Sequence, residues 1–430
     1  MKWSQAISVL VLIAATIFLG YVPGQSDFSL IIIGGAAAFL AYGYLSFFNK
    51  PTVKIVFISG VLIRIILLFA FPNLSDDIYR FVWDGQLTSL NINPYGHLPS
   101  ELINQNIPGL SEDFFSQMNS PEYYTIYPPI TQLIFYISIW FSSDVFYMSL
   151  VIKSIFLVAE IFTFLGILKV LEFLKKDKRL SIIYFLNPLI LVEGMVNLHC
   201  EIIMITFLIW GTYFIFIKKN IGVGALLFTL SIASKLLPIM FLPFFFFGLK
   251  GKDRVQFFLW GLIFMSLAFS PILFGLDFQN FGSSIELYFQ KFEFNGGVYY
   301  LLRFLGKLWT GYNLIHYLGP ILGFITLFLI VRKAYLQKLF DLQNFMEFAF
   351  FSFVTYLLLA TTVHPWYLSI PILLSVFVKW RFALAWSFLI LLTYINYSYD
   401  PYWENLWIVS IEYFLVFGLL FYEMKKDWKD

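Results

Sequence analysis

Two adjacent carboxylates, Asp76 and Asp77, stand where an apolar run, Ile55 to Phe71, long enough to cross a bilayer, gives way to the polar stretch Ser75-Asp76-Asp77-Ile78-Tyr79-Arg80-Phe81-Val82-Trp83-Asp84-Gly85. A carboxylate in such a place can take the proton from a hydroxyl and so make it a nucleophile. It can also do no more than favour a helix N-terminus, where the dipole stabilises an anion by up to about 1 kcal/mol. Ser75 is the expected N-cap, and helical spacing then puts Asp76, Arg80 and Asp84 on one face, flanked by Asp77 and Trp83. Both aspartates are candidates for a general base. Arg80 on the Asp76 face would lower the basicity of that residue, whereas Asp76 lies nearer the membrane.

Further polar groups stand where a membrane makes them costly, which makes function the default reading for each. Asn187-Pro188 opens a segment leading to Glu193, Asn197, His199 and Glu201, in which Glu193 and Asn197 share a helical face. Ser234-Lys235-Leu236-Leu237-Pro238 breaks a long apolar tract and presents a lysine where proline frees backbone groups. Val363-His364-Pro365-Trp366-Tyr367 repeats the arrangement between two other short spans. Phe294 to Arg303 ends a large loop with a permanently charged fork suited to a phosphate. Structural alternatives exist for all of them: a lysine snorkelling to the interface, a satisfied histidine, an aromatic belt at Tyr123, Tyr124 and Tyr127.

The elements that must position these groups are membrane helices. Of the 430 residues 60% are apolar and only 13% are charged, the composition of a chain dissolved largely in lipid. The net charge of +2 is too small and too scattered to suggest nucleic acid. The single cysteine, Cys200, excludes an internal disulfide and any multi-cysteine metal site, and reads as a buried small residue. Apolar runs near Gln5 to Tyr21 and Leu30 to Phe48 precede the run that delivers the chain to Ser75. Lys2, Lys50 and Lys54 then mark the cytoplasmic side and put the acidic pair outside.

The first outer loop, 73–143, has Arg80 as its only Lys or Arg against Asp76, Asp77, Asp84, Glu101, Glu112, Asp113 and Glu122. Within it, Ile130 to Phe141 is shorter than the roughly 17 residues of a spanning helix, and is expected to be re-entrant or interfacial, begun by Pro128 and Pro129. Beyond it, basic clusters at Lys169 to Arg179, Lys218 and Lys219, Lys250 to Arg254, Arg332 to Lys338, Lys379 and Arg381, and Lys425 to Lys429 mark inner turns. About fourteen crossings result, with both ends inside and a second outer loop over 276–312. The fold expected is all-α: one polytopic helical bundle over 1–430, its outer loops carrying short helices. P-loop, G-x-G-x-x-G, H-E-x-x-H and G-x-S-x-G patterns are absent.

Taken together, the acidic pair, Y-R-x-x-W-D-G followed by Asn93-Pro94-Tyr95, Tyr127-Pro128-Pro129, Asn187-Pro188-Leu189 with its N-x-H-x-E segment, Ser234-Lys235 with Pro238, and His364-Pro365-Trp366-Tyr367 resemble membrane glycosyltransferases of the GT-C fold. Within that fold the chain is most similar to bacterial polyprenyl-phosphate-mannose-dependent mannosyltransferases, from about Ile55 to Tyr367. It departs from them at His199-Cys200-Glu201, where His-Asn-Asp is expected, and in two additional spans, 1–54. The resemblance implies inverting transfer of a hexose, mannose by likeness, from a polyprenyl-phosphate donor to a lipid-linked or glycan acceptor at the outer face of a bacterial cytoplasmic membrane. It implies a base at Asp76 or Asp77. Substrate contacts are expected among Arg80, Trp83, Asp84, Tyr95, Tyr127, Asn197, His199, Glu201, Lys235, Arg303, His364 and Trp366. Lys235, Arg303 and His364 would supply cations to the phosphate through preorganised electrostatics, with no metal or other cofactor required. A different class stays open, since discontinuous helices bearing Lys235 and His364 could line the path of a secondary transporter or flippase. The two related halves usual in such transporters are not visible. A non-catalytic assembly protein is the third reading.

Overall fold

The computed structural model describes residues 3–275 and 277–427. Lys2 and Lys429 of the charge pattern, and Leu276 at the start of the second loop, lie outside the described residues. Helix accounts for 75% of the structure, and no strand forms among the described residues. Among the described residues six helices are long and apolar enough to cross a membrane: Trp3–Tyr21, Phe28–Phe48, Val145–Phe173, Ile315–Leu336, Leu342–Leu359 and Leu406–Lys426. The pair Lys178–Phe185 and Pro188–Val196, bent by 51°, makes a seventh if it is one broken span. Large apolar side chains such as Leu40, Trp407 and Phe414 face outward on these helices, as a lipid surround requires. Shorter apolar helices, among them Glu201–Phe216, Ile221–Ser234 and Pro365–Leu374, lie between them.

The site is approached from the helix Val53–Leu67, whose end is held by buried charge. Arg64 pairs with Glu160 at 2.5 Å, both side chains fully buried, and donates to the Phe185 carbonyl at 2.9 Å, while the Tyr184 hydroxyl donates to Glu160 at 2.7 Å. Lys153 donates to the carbonyls of Leu67 and Ala70 at the helix end, the first of which also takes the Ala70 N–H. Charges so deep cost several kcal/mol unless bonded; Arg64 is matched by Glu160, and Lys153 is held by carbonyl oxygens. They anchor the exit of the chain toward Asp76.

The next helix is Asp77–Ser89, and its N-cap is Asp76 in place of the expected Ser75. The Ser75 N–H bonds back to the Pro72 carbonyl at 3.4 Å, so the turn runs one residue further before the helix begins. The Asp76 side chain makes no capping bond, and Ser75 Oγ accepts only a long 3.4 Å bond from the Asp77 N–H. Behind this helix lies Pro129–Ile139, begun by proline at its first position as expected. Its 11 residues span about 16 Å against a hydrocarbon core of about 30 Å. The two pack closely, with Phe81 and Phe135 rings stacked at 4.3 Å and no room for a side chain at Gly85, where a Cβ would sit 2.8 Å from the Phe135 carbonyl oxygen.

Candidate active site

Asp77 is half-buried, with a hydrogen bond on one carboxylate oxygen and a longer ion-pair contact on the other. Asn119 Nδ2 donates to Oδ1 at 3.0 Å, and His199 Nε2 lies 3.6 Å from Oδ2. On its other side His199 Nδ1 lies 2.9 Å from Glu193 Oε2, so one imidazole sits between two carboxylates. The local fold explains the placement. A π-turn, Leu191–Val196, leads through Leu198, held at φ 64°, so that the His199 N–H bonds the Glu193 carbonyl at 3.0 Å. A bulky residue held in the left-handed region marks a place where the surroundings overrule local preference.

The electrostatics follow from this geometry, in turns outside the spanning helices. Burial works against a charged His199, yet Asp77 and Glu193 raise its pKa to about 9, so it is an imidazolium at neutral pH. Burial likewise works against an ionised Asp77, but His199, then Asn119 and Lys235, bring its pKa down to about 2. Asp76 differs: it is exposed at the wall of a cavity, and partial desolvation, then the charge of Asp77, raise its pKa. Arg80 does not pair with it, because Arg80 turns to Asp84 at 2.8 Å and donates to the carbonyls of Ser120 and Tyr123 at 2.9 and 2.8 Å. The two carboxylates of the pair are therefore unequal: Asp77 is committed and Asp76 is open.

The cavity is about 390 Å³, lined by Asp76, Asp77, Arg80, Tyr127, Lys235, His364 and Trp366 together with residues of both large loops. Lys235 caps the helix Ile221–Ser234, pairs with Glu201 at 2.8 Å and lies 5.8 Å from the centre of the Tyr367 ring. Trp366 is sandwiched between His199 and His364, with ring centres 3.6 and 4.4 Å apart, and Phe294 closes the column 4.7 Å beyond His364. A parallel bridge between Phe294 and Thr362 ties the second loop to this turn.

The remaining expected residues divide clearly. His199, Asn197 and Glu201 lie one layer behind the wall: Asn197 Nδ2 donates to Glu193 at 3.0 Å and to the Tyr394 hydroxyl oxygen at 3.1 Å. Trp83, Asp84 and Tyr95 do not reach the cavity. Trp83 is buried against Leu87, Leu102 and Met118; Asp84 is enclosed by Arg80 and Gln132; the Tyr95 hydroxyl donates to the Tyr127 carbonyl at 2.8 Å. They hold the 73–143 segment together. Arg303 is no open fork, since it pairs with Glu293 and lies 4.2 Å from the Tyr300 ring centre. Burial drives the pKa of His364 down to about 3, so it faces the cavity as a neutral ring, not as a cation. Of the three expected cations Lys235 is the one that both keeps its charge and lines the cavity, its ammonium shared with Glu201. Among the described residues no three His, Cys, Asp or Glu side chains gather as a metal-binding group.

Comparison with known proteins adds one result. Residues 14–249 match the MptA_B family, alpha-(1->6)-mannopyranosyltransferase, N-terminal domain. The chain belongs to this mannosyltransferase family. The match covers more than half of the chain, begins within the first helix and takes in the acidic pair, the His199 turn and Lys235. No curated protein matches it.

In this mannosyltransferase several cavity residues escape a reading of the sequence. Asn119 holds Asp77 from a loop with no pattern, and Gln25 reaches the cavity from the turn between the first two helices. Tyr394, Tyr397 and Tyr402 line it from beyond the region of motif resemblance. Only the three-residue spacing of Tyr394 and Tyr397 could have signalled a shared face.

Proposed function

We propose that the protein is an inverting GT-C-type mannosyltransferase that moves mannose from a polyprenyl-phosphate sugar to a lipid-linked or glycan acceptor at the outer face of a bacterial cytoplasmic membrane. The observation that carries the reading is the convergence of an open carboxylate, Asp76, and a lysine, Lys235, in one cavity of a mannosyltransferase-family chain. Asp76 accepts the proton of the acceptor hydroxyl as its oxygen attacks the anomeric carbon. The bond from that carbon to the phosphate oxygen breaks, and the polyprenyl phosphate leaves with the electron pair. Lys235 stabilises the charge that develops on it. Asp77, fixed by His199 and Asn119, keeps the wall in place and Lys235 in a negative field. A phosphodiester carries one negative charge, which a single lysine suits.

The lipid tail has a path on the same helix. Ile221–Ser234, which ends at Lys235, borders an apolar groove of about 200 Å³ lined by Phe228, Ile232, Phe257 and Leu262. The outer-face placement and the count of about fourteen crossings rest on the alternation of basic loops. The α linkage in the family description, formed with inversion, calls for a β-linked donor. The test is transfer by purified protein from radiolabelled polyprenyl-phosphate mannose to octyl α-mannoside. An α-linked disaccharide is expected; no transfer from this donor, or transfer from a nucleotide sugar instead, sinks the proposal.

A further inference from the structure

A row of tyrosines lines the cavity that also holds the acidic pair. The 3₁₀ segment Ile390–Ser398 sets Tyr394 and Tyr397 one above the other, because side chains three apart eclipse in that geometry. Their ring centres are 6.0 Å apart, and Tyr402 continues the row 5.8 Å beyond Tyr397. The inner member is fixed: the Tyr394 hydroxyl lies 3.1 Å from both Glu193 and Asn197. The outer two are free to meet a ligand. Tyr397 is half-buried and Tyr402 is 52% exposed, and neither hydroxyl bonds another side chain or carbonyl among the described residues. Tyr397 also lies within electrostatic range of Asp76 and Asp77.

The charge around this row selects its ligand. Arg80 and Lys235 are the Lys and Arg side chains that line the cavity among the described residues; Arg80 is bound into the first loop and Lys235 sits by Tyr367, Asp77 and Glu201. Among the described residues the tyrosine row has carboxylates near it and no cation of its own, so a second phosphate is disfavoured there. Flat rings with free hydroxyls suit a neutral ligand with apolar C–H faces and a rim of hydroxyls, which is a pyranose. We propose that Tyr397 and Tyr402 form the shelf on which the acceptor glycan stacks, delivering a sugar hydroxyl to Asp76. The proposal deepens the glycosyltransferase reading and rests on it. It also places acceptor choice beyond residues 14–249, in a different part of the chain from the base.

The experiment separates the two. Octyl α-1,6-mannobioside is titrated, with donor absent, into the detergent-purified full chain and followed by tryptophan fluorescence. Binding by the parent should weaken about tenfold in Tyr402→Ala and in Tyr397→Ala, and by less than about twofold in Tyr402→Phe, which keeps the ring. In transfer assays the same alanine variants should raise the acceptor KM and leave the donor KM unchanged. Failure of the parent to bind the mannobioside, undiminished binding in both alanine variants, or a rise in donor KM instead would overturn the shelf. Mannobioside binding that depends on the row, without any transfer by the parent, would overturn the transferase reading and leave the shelf standing.

Discussion

At the scale of single residues, the acidic pair is resolved by its partners. Asp77 is ionised down to about pH 2 because His199, Asn119 and Lys235 outweigh its burial, and a carboxylate so stabilised is a weak base. Among the described residues the Asp76 carboxylate has no fixed partner, its pKa is raised, and it faces the cavity. Asp76→Asn should therefore lower kcat by about 10²- to 10⁴-fold with donor binding retained, while Asp77→Asn lowers it less. Near-parental turnover by Asp76→Asn would remove it as the base. His199 carries a pH prediction of its own. Its pKa is raised from 6.5 to about 9, so the pairing with Asp77 and Glu193 contributes fully below about 6.5 and is lost as pH rises through about 9. The depressed pKa of Asp77 works in the other direction, and its contribution is lost only as pH falls toward 2. Thermal unfolding in detergent should show a Tm that falls progressively between about pH 6.5 and pH 9 in the parent and not in His199→Gln. An identical fall in both would show that another group is responsible.

At the scale of elements, the 73–143 segment works as a scaffold built on close helix contact. Asp77–Ser89 and Pro129–Ile139 touch at Gly85, the glycine of the Trp83-Asp84-Gly85 motif, where the facing atom is backbone and cannot turn aside. Gly85→Ala must separate the helices by a few tenths of an ångström or more, and overpacking of this kind costs about 1–3 kcal/mol. The expected outcome is a lower Tm with loss of transfer, since Asp77 and Asp76 move with the helix start. Unchanged Tm and activity would mean that the helices can separate freely. The neighbours Trp83 and Asp84, which the motif alone suggests as ligand contacts, act here instead: Asp84 neutralises Arg80 while Arg80 holds the carbonyls of Ser120 and Tyr123.

At the scale of the whole molecule, the charge pattern predicts that Asp76, His199, Lys235 and His364 share one membrane face with the first loop. In intact cells a cysteine at Gln105 should label with an impermeant maleimide and one at Lys252 should not; the reverse pattern would invert the topology. Much of this architecture is legible without coordinates. Apolar runs must become helices in lipid because no water can satisfy their backbone, and proline at Pro129 and Pro238 can only open or break one. The acidic pair, Lys235 and the His364 turn could be marked as candidates because polar groups at that depth are costly. What those groups do to each other was decided only by tertiary structure. His199 lies 122 positions from Asp77 in the chain, so no local spacing could reveal an imidazolium that ties up one aspartate and leaves the other open. Arg303 looked like a free cation because Glu293 reaches it only across a turn of the second loop, and His364 looked chargeable because its burial comes from Phe294 and Trp366. Helix formation depends on residue type and near neighbours, whereas pairing, burial and protonation depend on which distant segments the fold brings into contact.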